Sequence, residues 1–408
     1  MNCRFCNHPL SLEFIDLGTA PSSNSFLSSE ELDSPELYYP LKVFVCEQCF
    51  LVQVAEYKKA DEIFDRNYVY FSSYSKTWLE HASNYVNMMN NRFGYTANSK
   101  VIEIASNDGY LLQYFKALNI PVLGIEPTLS TAKIAREKGI DTRVEFFGVE
   151  LAMKLVEENG KADLLIGNNV LAHVPDLHDF VSGLKIALQP AGVVTMEFPH
   201  LLQLVQHNQF DTIYQEHFSY LSLLTVQKIF REKGLAIFDV EELSTHGGSL
   251  RIFAKHADAT AHPISDRVQQ LLQKETNAGM NTTGFYAHFQ KVADTIKYSL
   301  LEFLISEKKK GSKICGYGAA AKGNTLLNYC GVRADLISFV ADASPHKQGK
   351  FLPGSRIPVL DKKRILEEKP DFILILPWNI KDEVMSDLGF VRDWNAKFIL
   401  AIPSLILL

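Results

Sequence analysis

From Lys100 onward the apolar and polar positions fall into blocks of two alternating kinds. Lys100–Ala105 is a short apolar run of the sort found in strands covered on both faces, and helical spacing follows it over Tyr110–Leu118. Pro121–Ile125 predicts a second strand and Leu129–Lys138 the next helix; Asp163–Gly167 is a third strand. Helical Phe180–Leu188 then leads into a strand at Val193–Phe198. Leu235–Leu243 and Gly248–Lys255 predict a closing antiparallel pair. One long helical stretch covers about Pro263–Lys310, and a second set of strands follows at Lys313–Tyr317, Leu336–Ala341, Phe372–Leu376 and Lys397–Ile402. Ahead of all this stand two short β-like runs (Leu41–Val45, Phe50–Val54), a Pro/Ser-rich loop (Thr19–Ser29), an aromatic segment (Tyr68–Tyr74) and a helix from about Ser75 to Asn90. Strands alternating with helices predict parallel, doubly wound sheets. The fold class is therefore α/β: a small head over residues 1–70, a doubly wound domain over 71–262, and a second, Rossmann-like domain over 263–408.

Composition narrows the function classes. With 408 residues, 47% of them hydrophobic, the chain can build several cores, which excludes a disordered protein. Lys plus Arg number 41 against 47 Asp plus Glu, a net charge of −6, and a binder of nucleic-acid phosphates would need a basic face instead. Apolar runs such as Phe372–Leu376 are far shorter than the roughly 20 residues that span a bilayer. The N-terminus, MNCRFCNHPL, has no apolar signal core. The expectation is a cytosolic, multidomain protein with no nucleic-acid or membrane partner.

Four of the six cysteines form two tight pairs, Cys3-x-x-Cys6 and Cys46-x-x-Cys49. Each pair sets two thiolates on one knuckle, and two knuckles supply the four-sulfur shell that Zn²⁺ accepts. Disulfides are the other reading, and a reducing compartment disfavours them. Four protein ligands leave no open position, so one zinc here is structural. His8 lies near the first knuckle but is not needed beside four thiolates. Cys315 and Cys330 lack such partners, and Cys315 reads as a small buried hydrophobe.

The first strand of the doubly wound domain runs into Glu103-Ile-Ala105-Ser106-Asn107-Asp-Gly109. Small residues and Gly109 let a ligand approach the backbone where the sheet opens. The second strand ends in Glu126-Pro127, and a carboxylate there can accept both hydroxyls of an adenosine ribose. A dehydrogenase would carry G-x-G-x-x-G after the first strand, and this chain does not. An acid one strand after such a turn is the pattern of S-adenosylmethionine sites. The donor set is Glu103, Ala105, Ser106, Asn107, Gly109, Glu126, Pro127 and, at the end of the third strand, Asn168 and Asn169.

A second cluster, Asp211-Thr-Ile-Tyr214-Gln215-Glu216-His217-Phe-Ser-Tyr220, packs Tyr, Glu and His into four residues. Such residues are costly to bury unless they serve a site. His217 suits a general base near neutral pH, with a neighbouring carboxylate to orient its ring and raise its basicity. A phenol or a second imidazole can stabilise an enolate oxygen.

In the second β/α set, Gly316-Tyr-Gly318-Ala-Ala-Ala-Lys322-Gly323-Asn324 reads as a phosphate-cradling turn. Asp342 lies near the spacing of a ribose-binding acid, which suggests NAD; Ala321 stands where the third glycine of that pattern would be. A pyrophosphate held by Lys322 fits a nucleotide-sugar equally well. Lys347 and Lys350 add charge nearby, and the Gly247-Gly248-Ser249 turn gives a strand end close approach to substrate. Two rival readings of the whole chain are an NAD-dependent oxidoreductase and a non-catalytic zinc-ribbon binding protein.

Taken in order, CxxC…CxxC, YxFxSSYS, IASNDG with GIEP, FDTIYQEHFSY, HGGSLR and GYGAAAKGNTLLNY span nearly the whole chain. This layout resembles the zinc-containing, S-adenosylmethionine-dependent C-methyltransferases that act at C3 of nucleotide-linked 4-keto-deoxysugars, in branched deoxysugar biosynthesis. The resemblance implies that a base removes the C3 hydrogen, acidified by the 4-keto group, and that the enolate carbon takes the methyl group. The family's base falls on His217, its polar neighbours on Glu216 and Tyr214, and its further site residues on His173 and Tyr74. Many relatives have histidine where this chain has Gln215. The resemblance also assigns the C-terminal domain to the nucleotide-sugar, and the expected substrate set is Tyr70, Gly248, Ser249, Lys322, Asn324, Lys347 and Lys350. Carbon alkylation of this kind asks for a base, a donor near O4 and an aligned methyl sulfonium, and for no catalytic metal.

Overall fold

A computed structural model of the chain describes residues 1–64 and 70–408. Of the aromatic segment Tyr68–Tyr74, Tyr68 and Val69 lie outside the described residues.

Three sheets organise the molecule. In the head, β1 (Leu12–Ala20) pairs antiparallel with β2 (Tyr39–Val45), and β2 with β3 (Val52–Val54). The long first strand escapes a pattern search because irregularities between Glu13 and Ile15, and between Asp16 and Thr19, break its alternation. The central sheet holds β4 (Val101–Ile104), β5 (Val122–Ile125), β6 (Thr142–Arg143), β7 (Ala162–Asn168) and β8 (Leu188–Pro199), all parallel. The short β9 (Ser219–Tyr220) leaves this domain and pairs with β3 of the head. β10 (Leu235–Leu243) and β11 (Ser249–His256) close the central sheet as the antiparallel pair expected, in the order β10-β11-β8-β7-β4-β5-β6. The direction of winding reverses at β4, so a crevice opens at its carboxyl end.

The third sheet contains β12 (Ile314–Tyr317), β13 (Val340–Ala341), β14 (Val359–Leu360), β15 (Phe372–Ile375), β16 (Lys397–Leu400) and β17 (Ile406–Leu407), in the order β14-β13-β12-β15-β16-β17. β13 is much shorter than the expected Leu336–Ala341, because Leu336 and Ile337 turn back onto the Arg333 carbonyl at 3.0 and 3.1 Å. The expected long helix over Pro263–Lys310 is two helices, Asp266–Asn277 and Phe289–Lys309. Between them Tyr286 folds into the core and donates to the Met280 carbonyl at 2.8 Å, which pulls the chain off a single helix axis.

The head does not stand alone. Cys3, Phe5, Cys46, Cys49 and Leu51 belong to the core beneath the central sheet, while Phe14, Ile15, Val43 and Val52 share a core with the helix Phe289–Lys309 and the third sheet. Too small to bury a core of its own, it wedges between the other two layers. The loop that follows β1 is thereby carried into the seam between them. Among the described residues no helix is long and apolar enough to cross a membrane.

Candidate active site

The turn after β4 is held in shape by left-handed backbone at Ala105, Asn107 and Gly109, with φ of +56, +51 and +74. At Gly109 a side chain would also run into Ile140, so glycine is required twice over. Glu126, at the end of β5, accepts from the Asn107 backbone at 2.8 Å, from the Thr128 backbone at 2.9 Å and from the Thr128 hydroxyl. Burial pushes its carboxyl up, and those hydrogen bonds oppose the push. Glu103 is fully buried. Burial pushes it well above the carboxylate range; the Tyr110 hydroxyl opposes this, and the charges of Asp108 and Glu126 add to it. Neither Glu103 oxygen completes a well-formed hydrogen bond among the described residues, and neither do Ser106 Oγ, Asn168 Oδ1 and Asn169 Oδ1. Orphaned, buried polar atoms gathered around one turn are what a polar ligand leaves when it is removed. Pro127 links Glu126 to the helix Leu129–Glu137.

His217 sits on a loop pinned by Phe210, Ile213 and Phe218, all buried. Its Nδ1 meets the Thr212 carbonyl at 2.9 Å, and a carbonyl can only accept. The proton is therefore on Nδ1, and Nε2 carries the lone pair. This corrects the expectation that Glu216 orients the ring: Glu216 instead accepts from Asn24 Nδ2 at 2.7 Å, Asn24 lying on the loop after β1. It also corrects the expected rise in basicity. Burial, together with the charges of His173, His246 and Lys322, holds His217 well below the ordinary histidine range, with the Thr212 carbonyl opposing. The imidazole is neutral at pH 7 and free to take a proton.

Around it stand Tyr214, with ring centroids 4.0 Å apart, and His173 at 4.7 Å in an edge-on contact. His173 follows β7 on a short turn, and burial lowers it to about 4 while the Glu216 backbone opposes. Burial raises the Tyr214 phenol well above its usual range, and the charge of Glu216 adds to this. Gln215 donates to the Ala20 carbonyl at 3.0 Å, tying the loop to the head. Tyr74 is not brought to this cluster. It lies 58% exposed with its hydroxyl 3.2 Å from His346 Nε2, because Ser75 caps the helix Lys76–Phe93 at once and turns the chain away. Tyr70 is nearer the donor turn, its carbonyl accepting from Asn107 Nδ2 at 3.1 Å.

The third sheet meets this cluster at its own first turn. Lys322 is pressed against the Trp378 ring, 4.5 Å from the centroid, and donates to Asn379 at 2.8 Å. Burial lowers it to about 8, opposed by the charge of Asp211. Several residues expected at the substrate are committed elsewhere. Asn324 donates to the Ser23 carbonyl at 2.6 Å, and Lys347 to the Ala319 carbonyl at 2.8 Å, so the first ties down the loop after β1 and the second closes its own turn. The Lys350 backbone carbonyl accepts from Val359 N at 2.8 Å, which fixes its backbone beside the third sheet and leaves the side chain uncommitted by this bond. A side chain at Gly248 would lie 2.6 Å from Gln203, and Ser249 Oγ bonds the Thr245 carbonyl at 3.0 Å, so this turn is packed by protein.

In the head the four cysteine sulfurs lie within 4.8 Å of one another, with 3.6 Å between Cys3 and Cys49 and 3.4 Å between Cys6 and Cys46. Zn–S bonds of about 2.3 Å in a tetrahedron place sulfurs roughly 3.8 Å apart, whereas a disulfide would need about 2.05 Å. The two knuckles are alike: Asn7 N bonds the Cys3 carbonyl and Phe50 N the Cys46 carbonyl, and both Asn7 and Phe50 have positive φ. The donor set fits one structural zinc. It is joined to the His217 loop through Gln53, which accepts from the Arg4 backbone, while the Arg4 guanidinium lies over the Phe218 ring.

Sequence reasoning missed four groups that the structure brings to the cluster. Asp211, within the quoted motif, is fully buried, is raised to about 6 by burial against the charge of Lys322, and accepts from the Trp378 indole at 2.7 Å. His246, in the HGGSLR motif, is coupled by charge to His217. Asn24 and Trp378 carry no motif, and only the approach of distant segments reveals them.

Three known families tile the chain: a zinc binding domain over residues 3–64, a methyltransferase domain over 79–240 and a C-methyltransferase C-terminal domain over 244–403. The C-methyltransferase NovU of Streptomyces niveus is 32% identical over 402 residues, covering 98% of this chain and 95% of that protein. Solved structures match in part. Magnesium protoporphyrin IX methyltransferase of Synechocystis PCC 6803 is 15% identical and covers 43% of this chain and 78% of its own, with a TM-score of 0.33. The DhpI complex is 18% identical over 46% of this chain and 91% of its own, with a TM-score of 0.32.

Proposed function

The chain belongs to the C-methyltransferase family, and from that premise we propose that it transfers the methyl group of S-adenosylmethionine to C3 of a nucleotide-linked 4-keto-deoxysugar through an enolate. In this reading residues 1–70 are the zinc head, 71–262 hold the donor, and 263–408 help hold the nucleotide-sugar. The observation that carries it is His217: a buried, neutral imidazole with Nδ1–H committed to a backbone carbonyl and Nε2 left with its lone pair. A base in that state takes a proton from carbon without first having to lose one.

Nε2 of His217 accepts the C3 proton, and the electron pair of that C–H bond moves into the C3–C4 bond as the ketone oxygen becomes an enolate. Tyr214 and His173, both beside the base, supply hydrogen-bond donors to that oxygen. S-adenosylmethionine, when bound, supplies a methyl group on a sulfonium that leaves as a neutral thioether. Glu103, Ser106, Asn107, Asn168 and Asn169 hold its polar groups, and Glu126, at the mouth of the sheet, faces its ribose. Lys322 gives the nucleotide-sugar a positive charge. Glu216 keeps the loop after β1 against the site through Asn24.

The test is mass spectrometry of reactions with dTDP-, GDP- and CDP-linked 4-keto sugars, read for the gain of one methylene unit and for methyl at C3. No gain on any of them rejects the acceptor. Metal analysis should return one zinc per chain, lost in Cys46→Ser together with stability; an unchanged, metal-free Cys46→Ser enzyme rejects the structural zinc.

A further inference from the structure

His246 stands in the turn between β10 and β11 with φ +53 and ψ 19. That left-handed conformation is costly for a residue with a side chain, and histidine holds it here directly before two glycines. The turn is fastened from several sides. Thr245 Oγ1 donates to Glu197 at 2.9 Å, Gln209 Nε2 donates to the Gly247 carbonyl at 2.6 Å, and Glu197 is itself clamped by Arg251 at 2.8 Å and His81 at 2.9 Å. Strain over-determined in this way persists where a side chain must be presented in one direction.

The ring is presented at a seam. It meets Trp78 edge-on with centroids 4.8 Å apart, and Trp78 stacks at 5.8 Å on Tyr110, whose hydroxyl accepts from Asn168 Nδ2 at the end of β7 at 3.4 Å. On the other side Gly247 packs against Trp378, the residue that bonds Asp211 and covers Lys322. Charge on His246 is felt by His217, and charge on Lys322 by His246. Its Nδ1 is sealed from solvent and has no hydrogen-bond partner among the described residues. A buried imidazole nitrogen is costly in that state unless a ligand meets it.

We propose that His246 is a third histidine of the methyl-transfer site, its Nδ1 hydrogen-bonding an oxygen substituent of the sugar and so holding the reacting carbon between His217 and the donor turn. The choice of oxygen substituent rests on the sugar acceptor argued above. His246→Gly separates this role from a structural one, because glycine accepts the left-handed backbone without strain. The variant should melt at or above the wild-type temperature and bind S-adenosylhomocysteine with unchanged affinity. Its kcat/KM for the sugar nucleotide should fall roughly ten- to a hundred-fold. His246→Asn tolerates the same backbone and offers an amide, so it should recover part of the loss. Wild-type turnover in His246→Gly overturns the assignment, and so does a loss of rate that tracks a lowered melting temperature in both variants. Failure of the acceptor reading looks different, since the wild-type enzyme would then methylate none of the sugars. An arm that needs no acceptor covers that case. The His246 imidazole resonance, identified by its loss in His246→Gly, should shift when S-adenosylhomocysteine binds, and an unmoved resonance also overturns the placement.

Discussion

The turn after β4 and the turn after β12 are built alike and used differently. In each, an acid one strand later accepts from a backbone N–H of the turn: Glu126 from Asn107 at 2.8 Å, Asp342 from Ala319 at 2.6 Å. Each acid also accepts from the N–H two residues further on, Thr128 at 2.9 Å and Ser344 at 2.8 Å. Around the first turn, polar atoms of Glu103, Ser106, Asn168 and Asn169 are buried with no well-formed hydrogen bond among the described residues. Around the second, Asn324, Thr325 and Lys347 donate to protein carbonyls, two of them in other layers of the molecule, and among the described residues fewer atoms, Asn324 Oδ1 and Ser344 Oγ, are left over. The same local architecture serves mainly as a joint where packing uses its donors, and in our proposal it is the ligand site where more polar atoms are left over. The acid that suggested NAD, Asp342, closes its own turn as Glu126 does, so the two turns differ in their surroundings and not in the acid.

The residue held between the two turns should be the most sensitive. His217→Asn is expected to lower methyl transfer by roughly 10²–10⁴-fold, to stop solvent deuterium exchange at the acceptor carbon, and to leave donor binding intact. In the wild-type enzyme the acid limb of the rate should lie below pH 6.5, because burial holds the base well below its ordinary value. The same shift has a stability sign. The folded chain binds the proton less readily than the unfolded one, so stability is lost as pH falls below about 6.5. An acid limb above pH 7, or deuterium exchange retained in His217→Asn, would mean that the base lies elsewhere.

Next in size is the donor turn. Glu126→Ala should weaken S-adenosylhomocysteine binding by about 1.5–3 kcal/mol, roughly 10–100-fold, measured by calorimetry. Asp342→Ala, its counterpart in the joint, should cost about 1–3 kcal/mol of stability in denaturant titration while donor affinity stays put. Equal effects of the two on donor binding would erase the distinction between site and joint.

The smallest effect sharpens the joint's one contribution to binding. Lys322 titrates at about 8, so its charge is lost as pH rises through that value, and the KM for the nucleotide-sugar should climb above pH 8. Stability should move the other way. The folded value lies below the unfolded 10.5, so between pH 8 and 10.5 the unfolded chain holds more protons and stability rises with pH. Lys322→Met should flatten the KM profile, and a profile that keeps its rise assigns the effect to another group.

Much of this could be read along the chain because it is local. CxxC spacing places two sulfurs on one turn whatever surrounds them, and period and length mark out strands such as β4, β5, β7 and β8 together with the antiparallel pair β10–β11. The donor turn was legible for the same reason: Gly109, with its left-handed φ, and Glu126 one strand later are linked by short chemistry. What escaped was decided by segments far apart in sequence. β1 was hidden by its irregular register, and the split of Pro263–Lys310 follows from where Tyr286 is buried. Asn24 reaches Glu216 from 192 residues away, Trp378 reaches Asp211 across 167, and Asn324 holds Ser23 across 301. Whether a polar side chain is spent on the protein or left for a ligand depends on such partners. The sequence therefore determined which chemistry the chain carries, and the tertiary structure alone decided how far each of two similar turns spends its polar groups on the protein, because only packing consumes a hydrogen bond.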